Sequence, residues 1–459
     1  MLFALAGLFL ISLSTPSKSL AQESIYIDVG SAKLKKSLLA LPPFSHLGSP
    51  SPTHNSTAQA LFDVINNDLA ATGLFTFIKP EAFLEDSQKV GLKPAPGYAG
   101  GFDFKNWQTI GTEFLLRIGY RVSGGTVSLE SYLYFVPQAK TLLSKSYSGP
   151  TGKLRTLSHT VADDIVRTLT GKPTFFKTKL VVSSNREAIN NGKEIWTMDW
   201  DGAEPKRISD HNSIAFSPTW SPDGKKITYS AFMYHKNTRA RNADLLTHDI
   251  SAKKTTLISF RKGINSGATY SPDGKYIYLT FSNQGNPDIY RMNNDGSNAT
   301  PILKGPTGVL NLEPSIGPDG FKMAFSSTRS GPPMIFTMNV DGSNIARRTF
   351  AGKYNSSPVW SPDGKKIVFA GMDKGKFDIF IMNSDGSQME RLTSARKPNG
   401  GIATNEDPSF SPDGRYIMFR SDRTGKNQIY ITNLDGSEER RITFDSHDYY
   451  QPDWSPFLE

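Results

Sequence analysis

The stretch WSPDGKKITYSA, residues 220–231, decides the fold, because close copies of it recur through the rest of the chain. Each copy opens on an apolar or aromatic residue, and the openings are Trp220, Tyr270, Ile316, Trp360, Phe410 and Trp454. Successive openings lie 50, 46, 44, 50 and 44 residues apart. Proline presets φ, aspartate bonds its own backbone and glycine accepts positive φ, so Pro-Asp-Gly predicts a tight turn between two strands.

A second motif repeats in phase with the first. Its copies are WTMDWDG (196–202), LLTHDISA (245–252, the weakest), YRMNNDG (290–296), FTMNVDG (336–342), FIMNSDG (380–386) and YITNLDG (430–436). Each unit therefore has four short strands, joined by two tight turns and one longer loop. A repeat of this length with four strands is typical of a β-propeller blade. The repeated aspartates are interpreted as turn residues, since the oxygen-ligand density of a calcium loop is absent.

Counting strands predicts how the ring closes. Six strands of each type are found if Lys179–Ser184 is included, yet the first unit has no strand before Lys179 and the last unit stops after Trp454. One blade completed by both ends of the repeat region would leave no open edge. The sequence thus predicts an all-β six-bladed β-propeller over residues 173–459.

Residues 22–172 carry no such repeat and predict an α/β N-terminal domain. The expected strands are Ser24–Val29, Ser37–Leu41 and Phe75–Ile78, followed by an antiparallel meander of Phe114–Tyr120, Val127–Phe135 and Leu142–Tyr147. The expected helices are Thr57–Thr72 and Lys153–Thr170, the second capped by Thr151 and stopped by Gly171. Ser45–Ser56 and Gly91–Gly101 are expected to be irregular.

The first 21 residues predict a signal peptide. The apolar run Leu2–Ser14 is shorter than a membrane span, and Ser19 and Ala21 suit a cleavage site after Ala21. The chain has no cysteine, so neither disulfides nor lipid attachment at a cysteine is expected. The net charge of +9 is spread along the chain, which predicts no nucleic-acid partner. We expect an exported protein that is not inserted in the membrane.

No catalytic motif is recognised. The sequence lacks a Gly-x-Ser-x-Gly elbow, a His-Glu-x-x-His helix and a Gly-x-Gly-x-x-Gly loop that opens a helix. We therefore predict no catalytic residue, no cofactor and no metal site. A periplasmic propeller enzyme or carbohydrate-binding module remains the alternative.

A binding surface is predicted where the longer connections meet. The tight turns share one face of the ring, whereas the longer loops and the blade-to-blade segments share the other, which surrounds the channel. Those loops hold eight basic residues, namely Arg186, Lys236, Arg239, Arg241, Arg329, Lys374, Arg423 and Lys426. A polar centre with a basic rim suits a folded partner with an acidic surface.

The order of these parts resembles the TolB family of the Tol–Pal system. The phrases that carry the resemblance are IYIDVG (25–30), KLRTLSHTVADDIVRTLTGKP (153–173), FFKTKLVVSS (175–184) and the terminal DWSPFL (453–458). The resemblance implies a non-enzymatic periplasmic protein, monomeric and peripheral to the outer membrane through its partner. It implies roles in outer-membrane integrity and cell division.

Two partners follow from the resemblance. The mouth of the propeller would bind the peptidoglycan-associated lipoprotein Pal, through Ile264, Asn265, Ser266, Gly267, Ala268, Asn311, Leu312, Glu313, Asn355, Ser356, Asn405, Glu406 and Asp407. The C-terminal domain of TolA would bind Gln22, Glu23, Ser24, Ile25, Tyr26, Ile27, Asp28, Val29 and Gly30, as a strand added to a sheet edge. At Ile264 the sequence differs from the histidine usual in the family, and residues are inserted around Ser31–Lys36.

Overall fold

The computed structural model describes residues 36–48, 52–237, 239–283 and 286–458. The predicted signal peptide, the strand Ser24–Val29 and all the residues predicted to bind TolA lie outside these ranges. Within them, no helix is both long and apolar enough to cross a membrane.

The described residues of the N-terminal part form one mixed sheet, one short strand pair and three helices. The strands are β1 (Ser37–Ala40), β2 (Ser45–His46), β3 (Phe75–Phe77), β4 (Gly91–Pro94), β5 (Gly101–Phe102), β6 (Phe114–Ser123), β7 (Thr126–Phe135) and β8 (Lys140–Pro150). The helices are α1 (Pro52–Ala71), α2 (Phe104–Thr109) and α3 (Leu154–Thr170), with single 3-10 turns at Pro80–Ala82, Val136–Gln138 and Thr151–Lys153.

The main sheet has the order β3-β1-β6-β7-β8, and β2 also pairs with β6. β1 runs parallel to β3 and β6, whereas β6, β7 and β8 form the expected antiparallel meander. Leu61, Ile65 and Leu69 of α1 share a core with α3 on one side of the sheet. Trp107 of α2 packs in a second core with Tyr134 of β7.

Three local predictions for this part were wrong, and one helix was missed. α1 begins at Pro52 inside the stretch expected to be irregular, and the other such stretch contains β4 and β5. α2 was not predicted; the Asp103 side chain caps it by accepting a hydrogen bond from the Lys105 amide. Thr151 does not cap α3, because its hydroxyl donates to the Gly125 carbonyl instead.

The remaining strands form six four-stranded antiparallel sheets. Those strands are β9 (Lys179–Ser184), β10 (Glu194–Asp199), β11 (Lys206–Arg207), β12 (Ala215–Trp220), β13 (Lys226–His235), β14 (Ala240–Asp249), β15 (Lys254–Ser259), β16 (Asn265–Tyr270), β17 (Tyr276–Asn283), β18 (Asn286–Asn293), β19 (Thr300–Leu303), β20 (Asn311–Ile316), β21 (Lys322–Ser327), β22 (Met334–Asn339), β23 (Ala346–Arg347), β24 (Asn355–Trp360), β25 (Lys366–Asp373), β26 (Lys376–Asn383), β27 (Glu390–Arg391), β28 (Asn405–Phe410), β29 (Tyr416–Ser421), β30 (Gln428–Asn433), β31 (Arg440–Arg441) and β32 (Tyr449–Trp454).

The sheets are the blades of a six-bladed β-propeller, as the repeat predicted. Blades 1 to 5 begin with β12, β16, β20, β24 and β28, and each follows chain order from the innermost to the outermost strand. Blade 6 has the order β11-β10-β9-β32. Trp454 lies opposite Leu180 and Tyr449 opposite Ser184, so the last strand closes the ring against the first strand of the propeller.

The Pro-Asp-Gly turns have the expected chemistry. In blade 1 an Asp223 carboxylate oxygen accepts hydrogen bonds from the Ser221 hydroxyl at 2.6 Å and the Lys225 amide at 3.1 Å. These bonds hold the pKa of Asp223 below its usual value, although partial burial opposes them. The aspartate oxygen therefore closes the turn.

Candidate functional site

The six innermost strands share a bulge that shapes the mouth of the channel. Each strand loses its register with the next strand of its blade after the second residue and regains it at the fifth. The third residue has a left-handed backbone in every blade, and these residues are Ser217, Gly267, Glu313, Ser357, Asp407 and Gln451. Only one of the six is glycine, so five side chains are held in a conformation that L-residues adopt reluctantly.

These bulges surround the central channel. The channel encloses a cavity of about 200 Å³, and its wall is formed by the third, fourth and fifth residues of the inner strands. Five of the six fourth positions are proline, namely Pro218, Pro314, Pro358, Pro408 and Pro452, and Ala268 occupies the sixth. The wall is thus rigid, because proline fixes φ and donates no hydrogen bond.

Long side chains at the third positions tie neighbouring blades together. A Glu313 carboxylate oxygen accepts from the Ser357 amide at 2.7 Å, and the Gln451 amide oxygen accepts from the Ser217 amide at 2.8 Å. An Asp407 carboxylate oxygen accepts from the Gln451 amide at 3.1 Å. Polar groups inside the channel therefore hold the ring in shape.

The channel is acidic, and one arginine partly balances it. Enclosure by protein raises the pKa of Glu313, although its side chain is only half-buried by area, and the negative charge of Asp407 raises it further. Burial also raises the pKa of Glu406. The Arg420 guanidinium donates to Glu406 and, at 2.9 Å, to Asp407. Burial thus favours the neutral forms of Glu313 and Glu406, while the positive charge of Arg420 favours the ionised form of Glu406.

The predicted mouth residues fall into two groups. Asn265, Asn311, Asn355 and Asn405 are buried. The Asn265 amide donates to the Ala243 carbonyl at 2.9 Å, and the Asn405 amide donates to Asp378 at 2.8 Å. These asparagines open the inner strands and bond the preceding blade, so their side chains join neighbouring blades and position the mouth rather than line it.

The other predicted residues lie at the channel or its entrance. Ile264 is exposed; Ser266, Gly267, Leu312, Glu313, Ser356, Glu406 and Asp407 are half-buried, and Ala268 is buried. Gly267 has a φ of 60°, and a Cβ there would lie 3.7 Å from Glu313 of the next blade. A larger residue at this position would therefore narrow the channel.

Sequence reasoning missed several residues at the entrance. The Lys193 ammonium lies 3.5 Å from the centre of the Tyr450 ring, and Arg420 lies over the same ring at 5.6 Å. Phe216 stacks on Phe232 with ring centres 5.3 Å apart. Phe216 and Tyr450 are the second residues of their inner strands, as Glu406 is of its own. Aligning the repeats on this position would have predicted both residues from the sequence.

A second polar cluster joins the two parts of the chain. The Arg155 guanidinium of α3 donates to Asp199, the last residue of β10, at 2.8 Å and to Asp201, in the turn that follows, at 2.7 Å. His159 Nδ1 bonds Asp68 of α1 at 2.7 Å, while the Trp200 indole donates to the other oxygen of Asp68 at 3.2 Å. We call Asp68, Arg155, His159, Asp199 and Asp201 the interdomain clasp.

The clasp contains strongly shifted groups. Burial opposes protonation of His159, but hydrogen bonds to Asp199 and Asp68 outweigh it and raise the pKa to about 9. Burial raises the pKa of Asp68 to about 6, against the effect of His159. His159 is therefore protonated at neutral pH and faces Asp68 across a short hydrogen bond. No group of three or more histidines and carboxylates in the described ranges has the arrangement of a metal site.

The fold and the mouth define a two-part β-propeller protein, in which a small α/β unit is docked on one edge of a closed ring. Comparison with known families identifies the one to which the chain belongs. The TolB beta propeller domain family matches residues 166–400 and 375–457, and the TolB amino-terminal domain family matches residues 25–142. The chain belongs to the TolB family, and it is similar to components of the Tol–Pal system.

Similar proteins include the Tol-Pal system protein TolB of Desulfosudis oleivorans, 30% identical over 272 residues, covering 59% of this chain and 58% of the relative. The Tol-Pal system protein TolB of Syntrophotalea carbinolica is 35% identical over 180 residues, 39% of each chain. The matches thus span less than two thirds of the length of these relatives. The crystal structure of TolB from Acinetobacter baumannii has a TM-score of 0.75 at 22% identity, covering 93% of this chain and 98% of that one, which supports the fold.

Proposed function

We propose that this protein is a non-enzymatic scaffold of the Tol–Pal envelope system, exported to the periplasm and active as a monomer. In this proposal the α/β domain occupies residues 22–172 and the propeller residues 173–459. The mouth binds Pal, and residues 22–30 bind the C-terminal domain of TolA. The protein would thereby link the outer membrane and peptidoglycan to the inner membrane, supporting outer-membrane integrity and cell division.

The observation that carries the proposal is the pre-formed mouth. Bulged inner strands, prolines and bonds between blades hold its shape before any partner arrives. A rigid receptor loses little conformational entropy on binding, so such a mouth suits a folded protein. Its accessible groups include Ile264, Leu312 and Tyr450, together with the Arg420–Glu406 ion pair, whose arginine lies over the Tyr450 ring. Apolar contacts flanked by charge are typical of protein interfaces.

The same geometry supports a role without catalysis. Glu313 and Asp407 accept hydrogen bonds from backbone amides of neighbouring blades. Glu406 is paired with Arg420. Glu313 and Asp407 are therefore engaged in joining blades and Glu406 in an ion pair within blade 5, whereas a general acid or base needs access to a substrate proton.

A binding measurement tests the proposal for the mouth. Purified residues 22–459 are titrated with the soluble domain of the cognate Pal, and a 1:1 complex is expected. Ile264→Asp should weaken binding at least 10-fold, because it places a carboxylate in an apolar contact. Ile345→Asp is the matched control, since Ile345 has nearly the same exposure, 39% against 42%, but lies on the turn face. Absence of binding by the folded wild-type protein would refute the Pal assignment.

A deletion tests the second site. Removing residues 22–33 should abolish binding of the TolA C-terminal domain, because the strand that would extend its sheet is lost. Binding of Pal should persist, since the mouth is built entirely from the propeller. Loss of both partners by a folded deletion variant would contradict the assignment of separate sites.

A further inference from the structure

One hairpin of the mouth face extends further than the others. In blade 1, β13 and β14 are ten residues long, whereas the corresponding strands of the other blades have six or eight. The additional pairs run from Phe232 opposite Ala243 to His235 opposite Ala240. We call Phe232–His235 and Ala240–Ala243 the outer hairpin.

The outer hairpin presents aromatic side chains beside the mouth. Phe232 and Tyr234 are exposed by 40% and 60%. Because side chains alternate along a strand, the two rings share one face. Phe232 also stacks on Phe216, at the entrance of the channel. The aromatic face is therefore continuous with the mouth.

Neighbouring strands extend this apolar surface. The Phe232 amide donates to the Ile214 carbonyl at 3.1 Å, and Ala243, opposite Phe232, is bridged to Ile264. Ile214 and Ile264 are exposed by 40% and 42%. A row of exposed apolar residues thus crosses the entrances of blades 1 and 2. Contiguous exposed apolar surface of this kind marks interaction sites.

The charges around the row are positive. Lys236, Arg239 and Arg241 are exposed at and near the tip of the hairpin, and Lys262 is exposed two residues before Ile264. Asp244, at the base of the outer hairpin, is buried and bonded to His235. The surface therefore complements a partner that carries carboxylates beside an apolar patch.

We propose that the outer hairpin is a second contact for the folded protein that occupies the mouth. Phe232 and Tyr234 pack against the apolar flank of that partner, and the basic tip pairs with its carboxylates. This inference rests on the proposed function, since the occupant is the protein bound at the mouth. Aromatic side chains supply large contact area at little entropic cost, so the hairpin adds affinity beyond that of the channel.

Two sets of variants test the inference with the soluble domain of Pal as the probe. Tyr234→Ala, alone and with Phe232→Ala, should weaken binding at least 10-fold, mainly through faster dissociation. Arg239→Glu combined with Arg241→Glu should slow association about 10-fold at low ionic strength and much less at high salt. The single Tyr234→Ala variant keeps Phe232, so it remains informative if removing Phe232 disturbs folding. Thermal unfolding verifies that each variant is folded.

The controls lie on the turn face. Phe321→Ala removes a ring that is 74% exposed, and Lys253→Glu with Lys254→Glu makes the same charge change at the other end of the blade 1 hairpin. Both should bind as the wild type does. If the wild type binds and the hairpin variants bind with the same affinity, this inference is overturned and the mouth assignment stands. No binding by the wild type would refute both, and equal losses in hairpin and control variants would refute a specific contact.

Discussion

His159 shows how one residue acquires a role that its surroundings determine. Its side chain is almost entirely buried between α1, α3 and the turn after β10, with Asp68 and Asp199 as its acidic neighbours. A buried histidine would ordinarily be neutral, yet the carboxylates raise its pKa to about 9. The sequence places His159 within the predicted helix Lys153–Thr170, but it does not reveal which acids the fold brings to it.

The raised pKa predicts how stability depends on pH. The contribution of His159 is complete below its unfolded pKa of about 6.5 and is lost as the pH rises through about 9, since the folded protein then gives up its extra proton. Between pH 6.5 and 9.5 this effect should lower the free energy of unfolding of the wild type by roughly 3 kcal/mol. His159→Gln lacks the titrating group, so its free energy of unfolding should fall by that much less over the same range. Urea unfolding of both proteins across this range measures the difference.

His211 offers a control of opposite sign. Its ring bonds the Tyr229 hydroxyl at 2.9 Å, and burial lowers its pKa. Its contribution to stability is present above the unfolded pKa and is lost as the pH falls. His211→Gln should consequently change the pH profile below about pH 6.5 and leave it unchanged at alkaline pH. A change of the same sign in both variants would refute the assigned role of His159.

The asparagines at the start of the inner strands show where residue-level prediction failed. Each of them begins an inner strand, at the end of the channel where the repeat predicts the mouth. The left-handed third residue, however, interrupts the alternation of side chains, and the Asn265 and Asn405 side chains bond the preceding blade instead of facing the channel. The six left-handed third residues of the inner strands were not recognised as one set, because they differ chemically. Its signal is purely positional, three residues before each aromatic or apolar opening.

At the scale of elements, the repeat predicted the propeller well because its turns have obligatory chemistry. Pro-Asp-Gly fixes each inner hairpin, and counting strands predicted that β32 completes blade 6 against β9. The N-terminal part has no repeat, so α2 and the β4–β5 pair escaped notice. Those elements are held by contacts that are distant in sequence, such as the bond from the Trp107 indole to Glu85 at 2.6 Å.

Closure by β32 depends on a residue that the other blades lack. Asp453 accepts hydrogen bonds from the Trp220 amide at 2.9 Å and the Ser409 hydroxyl at 3.2 Å, which joins blade 6 to blades 1 and 5. Asp453→Ala should lower the free energy of unfolding by about 2 kcal/mol, because enclosed donors lose their acceptor. Thr269→Ala, at the equivalent position of blade 2, should cost less than about 0.5 kcal/mol. Denaturant unfolding compares them, and equal effects would contradict a special role for the closing strand.

At the scale of the whole molecule, one apolar core runs through both parts of the chain. Leu69 of α1 belongs to the same buried cluster as Trp200, Tyr416 and Trp454 of the propeller. Backbone oxygens at the end of α1 add polar contacts, since the Thr72 carbonyl accepts from the Tyr416 hydroxyl at 2.9 Å. The α/β unit and the propeller should therefore unfold together rather than as independent bodies.

Arg155→Leu tests this coupling. The substitution removes the cation that joins α3 to Asp199 and Asp201, and should cost roughly 2–3 kcal/mol because the site is partly desolvated. Arg167→Leu, on the same helix, should cost about 0.5 kcal/mol or less, since the Arg167 side chain is half exposed and its pair with Asp163 spans one helical turn. Scanning calorimetry should show one transition for both variants, at a clearly lower temperature for Arg155→Leu. Two separated transitions in the wild type would refute the common core, whereas separation only in Arg155→Leu would mean that the clasp, and not the apolar contact, couples the two parts.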